Sequence, residues 1–308
     1  MVFAHIGPGL DPSTPLWLAW NFEPSLIIGF AALLGLYFYA AGPLRRRFGW
    51  AAHVDARQTF AFVAGVAVLI LGLMSPLDIL GDEYLFSAHM VQHTLIALVA
   101  PPLLLLGTPG WMIEPLLANA VVRRVARWLA HPVVAFGLFN ADLWLWHAPG
   151  LYDATLENEL VHIFEHLTFI GFGVIFWLPI LSPTPLIPRI SRMFGVLYLF
   201  LACQPMVALG ALLTFATAPI YQPYVFAPRI WGINPLADQQ LGGLIMWLPT
   251  NIPYLIGLSV LFFRWVGDQD RTERAAAGEF EDATTVPEAE AEAEAEAETA
   301  VNDSPVAG

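Results

Sequence analysis

Lysine is absent from the 308-residue chain, and charge of either sign is scarce, with 13% charged residues against 57% hydrophobic ones. An ordinary soluble domain carries about a quarter charged residues, so this balance excludes that class and points to a membrane protein. Beyond a few short arginine clusters there is no basic patch, which excludes a nucleic-acid partner. The single cysteine, Cys203, rules out an internal disulfide. Its apolar surroundings fit a packing role, with soft-metal binding as the alternative. Also missing is the basic n-region of a secretory signal, because the first residues, Met1 to Pro15, run through a Gly- and Pro-rich segment. The first apolar span is therefore expected to stay in the mature protein. No internal repeat of the kind that marks many transporters is visible.

The net charge of -13 is misleading as a description of the body, because 13 of the 26 acidic residues fall from Asp268 onward, opposed there only by Arg271 and Arg274. From about Ala275 the sequence becomes a Glu-Ala alternation that cannot bury a core, and a disordered cytoplasmic tail is expected. The remaining body is close to neutral.

Apolar stretches near the roughly 20 residues needed to cross a bilayer fall at about 22–42, 58–76, 86–107, 131–148, 160–181, 192–215 and 240–264. The expected fold is an all-α integral membrane bundle of seven transmembrane helices. Cytoplasmic loops collect positive charge, and an outside N-terminus with a cytoplasmic C-terminus puts twelve of the thirteen arginines inside, leaving Arg229 outside. The expected organisation is an extracytoplasmic leader at 1–21, a transmembrane domain at 22–266 and an acidic tail at 267–308. Prolines Pro101, Pro102, Pro205, Pro249 and Pro253 interrupt spans three, six and seven, where each removes a backbone donor and favours a kink.

This topology places six of the eight histidines on the outer side: His5, His89, His93, His147, His162 and His166. His53 and His131 fall on the cytoplasmic side and read as interfacial residues. His89 and His93 are four apart, as are His162 and His166, so each pair projects from one helical face and can meet a single metal ion. Ionisable groups bordering spans tend to mark function. Asp142 lies roughly 7 to 8 Å deeper than His147 along span four, as a partner that orients an imidazole or as a structural contact with Asn140 or a neighbouring helix. Glu165 has the same two readings, and Asp238 adds a third acid at the mouth of span seven. Imidazole suits zinc and copper alike, whereas thioether favours Cu(I). Met90 beside His89, with Met74, Met206 and Met246, tilts the choice slightly to copper.

Several segments taken together resemble a known family: His89-Met-Val-Gln-His93 running into Ala100-Pro-Pro-Leu-Leu-Leu-Leu-Gly107-Thr-Pro109, Leu145-Trp-His147-Ala-Pro-Gly-Leu-Tyr152, His162 with Glu165-His166, and Asp238-Gln-Gln-Leu-Gly-Gly-Leu-Ile-Met-Trp247. They resemble the multi-pass bacterial CtaG family of cytochrome c oxidase assembly factors, over roughly residues 20 to 265. The resemblance implies a bacterial cytoplasmic-membrane protein that helps to mature a haem-copper oxidase, with an oxidase subunit and the lipid bilayer as partners. It also implies a part in delivering or stabilising copper, with His89, His93, His147, His162 and His166 at the matching motif positions.

Three other functions compete. His162-Ile-Phe-Glu165-His166 fits the H-x-x-E-H pattern of a zinc-dependent hydrolase, in which two histidines hold zinc and the glutamate is the general base. Histidines from two helices could also be axial ligands of a haem. A transporter would need a polar path across the whole bilayer, and the polar residues here concentrate in the outer half.

Overall fold

The computed structural model describes residues 15–275, and the chain forms two compact units that divide between Leu258 and Ser259. His5, most of the leader expected at 1–21 and most of the acidic tail expected at 267–308 lie outside the described residues. All the regular secondary structure of the described residues is helical, with no strand among them.

In the first unit, α1 runs Pro24–Phe48, α2 Ala56–Leu73 and α4 Phe86–Gly107, with the short α3, Pro76–Glu83, between the last two. Two more short helices follow, α5 (Gly110–Leu117) and α6 (Ala120–Leu129), and then α7 (Pro132–Trp146) and α8 (Pro149–Glu157). The unit continues through α9 (Glu159–Leu181), α10 (Arg192–Thr214), α11 (Gln222–Phe226) and α12 (Pro235–Trp247), and 252–258 is helical again. The described part of the second unit, 259–275, is helical.

By length and composition six helical stretches can cross a membrane: Pro24–Phe48, Ala56–Leu73, Phe86–Gly107, Glu159–Leu181, Arg192–Thr214 and Pro235–Ala275. The stretch expected at 131–148 forms a helix of only 15 residues, Pro132–Trp146. At 1.5 Å per residue it covers about 22 Å of a hydrocarbon core about 30 Å thick. The reason lies at its ends. His131 precedes Pro132 at the first helical position, and Pro149 starts α8 as a separate element three residues after Trp146.

Among these helices α4 is the central one. It packs against α2, α3, α9 and α12, and 56% of its most apolar window is buried, against 11% for α1. The Pro101-Pro102 pair acts on its backbone. Without N–H groups these prolines cannot take the carbonyls of Ala97 and Leu98 in the usual i→i−4 pattern, and residues Leu95–Val99 pass through a π-helical turn. The liberated Ala97 carbonyl faces Gly173 of α9, where a Cβ would come within 2.5 Å of its oxygen. Close helix crossing through small residues also joins α10 to α12, where a Cβ on Gly243 would lie 2.7 Å from the Gly210 carbonyl.

Candidate metal centre

The site is assembled on α4, and its register is fixed from outside that helix. The first N–H groups of a helix have no partner within it. Here Asp238 of α12 supplies one, accepting from Phe86 N at 2.7 Å, Ser87 N at 3.2 Å and the Ser87 hydroxyl at 2.5 Å. A carboxylate at this end is also favoured by the helix dipole. With the start of α4 tied to α12, His89 and His93 follow one turn apart and both are buried.

The two imidazoles meet directly, Nε2 to Nε2, at 2.7 Å. Helix α9 brings Glu165 and His166 against them. Glu165 Oε1 lies 3.9 Å from His93 Nε2, and the His166 ring is centred 5.5 Å from His93 and 6.2 Å from His89. Ligand-capable atoms of His89, His93, Glu165 and His166 all fall within 4.8 Å of one another. A second group of the same compactness shares His89 and adds Asp82 and His162. Asp82 Oδ1 sits 3.4 Å from His89 Nδ1 and 3.6 Å from His162 Nε2.

Asp82, near the end of α3, is the residue that helical spacing misses. It precedes His89 by seven positions, but the chain leaves the helix at Tyr84 and Leu85, so no period carries from one to the other. The signal was electrostatic: four crowded imidazoles call for a counter-charge, and Asp82 is an acid at the same end of the bundle. Its approach depends on Gly81, where a Cβ would meet the His89 Cα at 3.0 Å. Burial by itself would push the Asp82 carboxyl up, but the imidazoles of His162, His89 and His166 outweigh it and hold the group well below the usual carboxylate range.

A buried tyrosine layer closes over the cluster. Tyr224 donates to the Gly81 carbonyl at 2.7 Å and lies 3.1 Å, hydroxyl to hydroxyl, from Tyr152. Tyr221 donates to the His147 carbonyl at 3.0 Å. The Tyr152 and Tyr221 rings are centred 4.0 Å apart, and the Tyr152 ring is 5.5 Å from His89.

The other expected site residues take different places. His147 is buried with its ring 6.3 Å from that of His93, outside both ligand groups. Its Nδ1 is 2.7 Å from the Leu143 carbonyl, which orients the ring and leaves Nε2 without a hydrogen-bond partner. Asp142 accepts from the Trp146 indole at 2.9 Å instead of reaching His147. Asp238 caps α4, as above. Met90 is buried and lines a small cavity to which His93 and His147 also contribute.

Three imidazoles and a carboxylate, sealed from water, form a donor set suited to a transition metal. The fit shows in atoms that the protein itself does not satisfy. Glu165 Oε1 is buried 3.9 Å from His93 Nε2, beyond hydrogen-bond reach, and the Nε2 atoms of His89 and His93 meet at 2.7 Å over one shared proton.

Residues 35–268 match the family model described as cytochrome c oxidase caa3 assembly factor (Caa3_CtaG). Among curated proteins the chain is similar to the uncharacterized protein Mb0105 of Mycobacterium bovis, 28% identical over 85% of this chain and 42% of that protein. It is also similar to the uncharacterized protein ML1998 of Mycobacterium leprae, 27% identical over 82% of this chain and 40% of that one. The chain thus spans about two-fifths of the length of these relatives. No solved structure matches it.

Proposed function

The chain belongs to the family of cytochrome c oxidase caa3 assembly factors, and from that premise we propose that it takes up copper at the His89, His93, Glu165, His166 cluster during maturation of a haem-copper oxidase. The observation that carries this reading is the convergence of four buried ligand residues from α4 and α9 within 4.8 Å, a concentration of ligand-capable atoms that a packing role does not need. Asp82 and His162 form the outer shell, orienting His89 and balancing the charge of a bound ion. Copper is the cargo rather than a resident cofactor, and zinc is the ion that the same imidazoles would accept in its place.

In this reading the protein is a seven-span protein of the bacterial cytoplasmic membrane, with α7 as the short seventh span. The arginines Arg45, Arg46, Arg47, Arg123, Arg124 and Arg127 lie on the cytoplasmic side, and the cluster lies toward the outer side beneath its tyrosine layer. The ion enters there and passes laterally to an oxidase subunit within the bilayer.

The zinc-hydrolase alternative is not favoured. That mechanism needs His162 and His166 on one ion with Glu165 held back as base. Here His162 groups with Asp82, whereas Glu165 groups with the other three histidines as a ligand-capable atom.

A strain lacking the protein tests the proposal. Its oxidase is expected to lose copper and activity, with both restored by the wild-type gene and neither by a His93→Ala, His166→Ala variant that still reaches the membrane. An oxidase with normal copper content in the deletion strain would overturn it.

A further inference from the structure

The ligand-capable group of Asp82, His89 and His162 stands on three elements whose positions other bonds set. Asp82 lies in the last turn of α3, His89 in the first turn of α4 and His162 in the first turn of α9. Gln92 ties α3 to α4 by donating to Asp78 at 2.7 Å, and Tyr224 holds the Gly81 carbonyl. The start of α9 is set by Asn158, whose side chain accepts from Leu160 N at 3.0 Å and Val161 N at 3.3 Å.

The spacing within the group is not that of hydrogen bonds. Asp82 Oδ1 lies 3.4 Å from His89 Nδ1 and 3.6 Å from His162 Nε2, and all three atoms fall within 4.8 Å of one another. A charged imidazole bonded to a carboxylate closes to about 2.7–2.9 Å, yet Asp82 Oδ1 and His89 Nδ1 are both buried with no hydrogen-bond partner. Ligand atoms about 2.0–2.1 Å from one tetrahedral ion stand roughly 3.3–3.5 Å apart, and that is close to the spacing here. The other acid of α3, Asp78, is engaged by Asn21 and Gln92.

His89 is common to this group and to the cluster, and its two nitrogens face opposite ways. Nδ1 is turned to Asp82, and Nε2 to His93 at 2.7 Å.

We propose that Asp82, His162 and His89 Nδ1 hold a second metal ion, so that the centre is binuclear with the His89 ring between its two positions. Each position then has a carboxylate of its own, Glu165 in the cluster and Asp82 here. Two imidazoles and a carboxylate, with no sulfur, suit a divalent transition-metal ion. The carboxylate offsets part of a charge that a buried site would otherwise exclude. Filling both positions sends the ring proton of His89 to solvent, because each nitrogen then gives its lone pair to an ion, and two cations beside the ring favour that loss. No oxidation or reduction takes place. The proposal rests on the copper reading for the first ion alone. While the second position is empty, Asp82 and His162 serve as that ion's outer shell.

The test uses the full chain, purified in detergent and stripped with a chelator. It is loaded with Zn(II) to count ions and with Cu(II) for electron paramagnetic resonance. Wild-type protein is expected to retain two Zn(II) per chain after gel filtration, and His162→Ala one. Two Cu(II) ions across one imidazole ring couple magnetically, so the wild-type signal should account for clearly fewer spins than ions, whereas that of His162→Ala should match its single ion. The wild-type measurements decide the matter even if the variant does not fold.

Two ions whose spins are fully counted overturn the bridge. A single ion that His162→Ala keeps and His93→Ala, His166→Ala loses overturns the second position and leaves the cluster standing. A single ion with the opposite pattern overturns the cluster and keeps the Asp82 position, and wild-type protein that holds no ion overturns both.

Discussion

His89 and His93 turn their Nε2 atoms toward each other at 2.7 Å, a hydrogen-bond distance that needs a proton on one nitrogen and the lone pair on the other. The other nitrogen of His89 lies 3.4 Å from Asp82 Oδ1, so the carboxylate flanks the ring on the side away from His93. The pair therefore needs α3 as much as it needs α4.

The consequence for Asp82 is direct. Asp82→Asn keeps the size of the side chain and removes the charge that orients His89 and His162. Metal affinity should fall by about 10- to 100-fold, the usual cost of losing an outer-shell carboxylate, with stoichiometry retained at high metal. Competition titration of the purified variant measures this, and unchanged affinity would place Asp82 outside the site's function.

Gly81 sets the spacing between α3 and α4. A Cβ at this position would press on the His89 backbone, so Gly81→Val should separate Asp82 from His89 and reproduce the affinity loss of Asp82→Asn. If the spacing is the cause, combining the two changes adds little, as expected for residues acting through one contact.

Asp238 should behave as a cap and not as a metal partner. Asp238→Ala leaves the Phe86 and Ser87 N–H groups without their acceptor, at a cost of about 0.5–2 kcal/mol. The expected result is a lower thermal midpoint in detergent with an unchanged number of bound ions. Loss of the ion at a temperature where the variant is folded would contradict this role.

Asp78 gives a pH signature. It is buried between Asn21, which donates to it at 2.9 Å, and Gln92, which donates at 2.7 Å. Burial, with the nearby Asp82 charge adding to it, pushes its carboxyl well above the ordinary range. In the unfolded chain the group releases its proton near pH ~3.9. The folded state therefore holds a proton that the unfolded state has lost. The stabilisation this brings is complete below the unfolded value and declines as pH rises toward the folded one. Thermal midpoints of the wild type measured from pH 5 to 8 should fall more steeply than those of Asp78→Asn, and parallel curves would contradict the assignment.

The parts of the fold that follow from local chemistry were legible in the sequence. The span at 86–107 coincides with α4 because its apolar run, its i,i+4 histidines and its terminal glycine all belong to one helix. The two pairs His89/His93 and His162/His166 were legible for the same reason. What escaped depends on contacts between elements distant in the chain. Asp82 reaches the cluster from another helix, and Asp238 serves a helix end 152 residues away. His147 matches the motif spacing, but the Leu143 carbonyl, one helical turn back, fixes its ring beside the cluster rather than in it.

The central claim is that the buried imidazoles of α4 and α9 bind copper, and the most direct measurement is the metal content of detergent-purified protein after anaerobic copper loading, wild type beside His93→Ala, His166→Ala. The account predicts bound copper in the wild type that the variant loses while its thermal unfolding stays cooperative. Equal copper in both proteins, or none in the wild type, would contradict it.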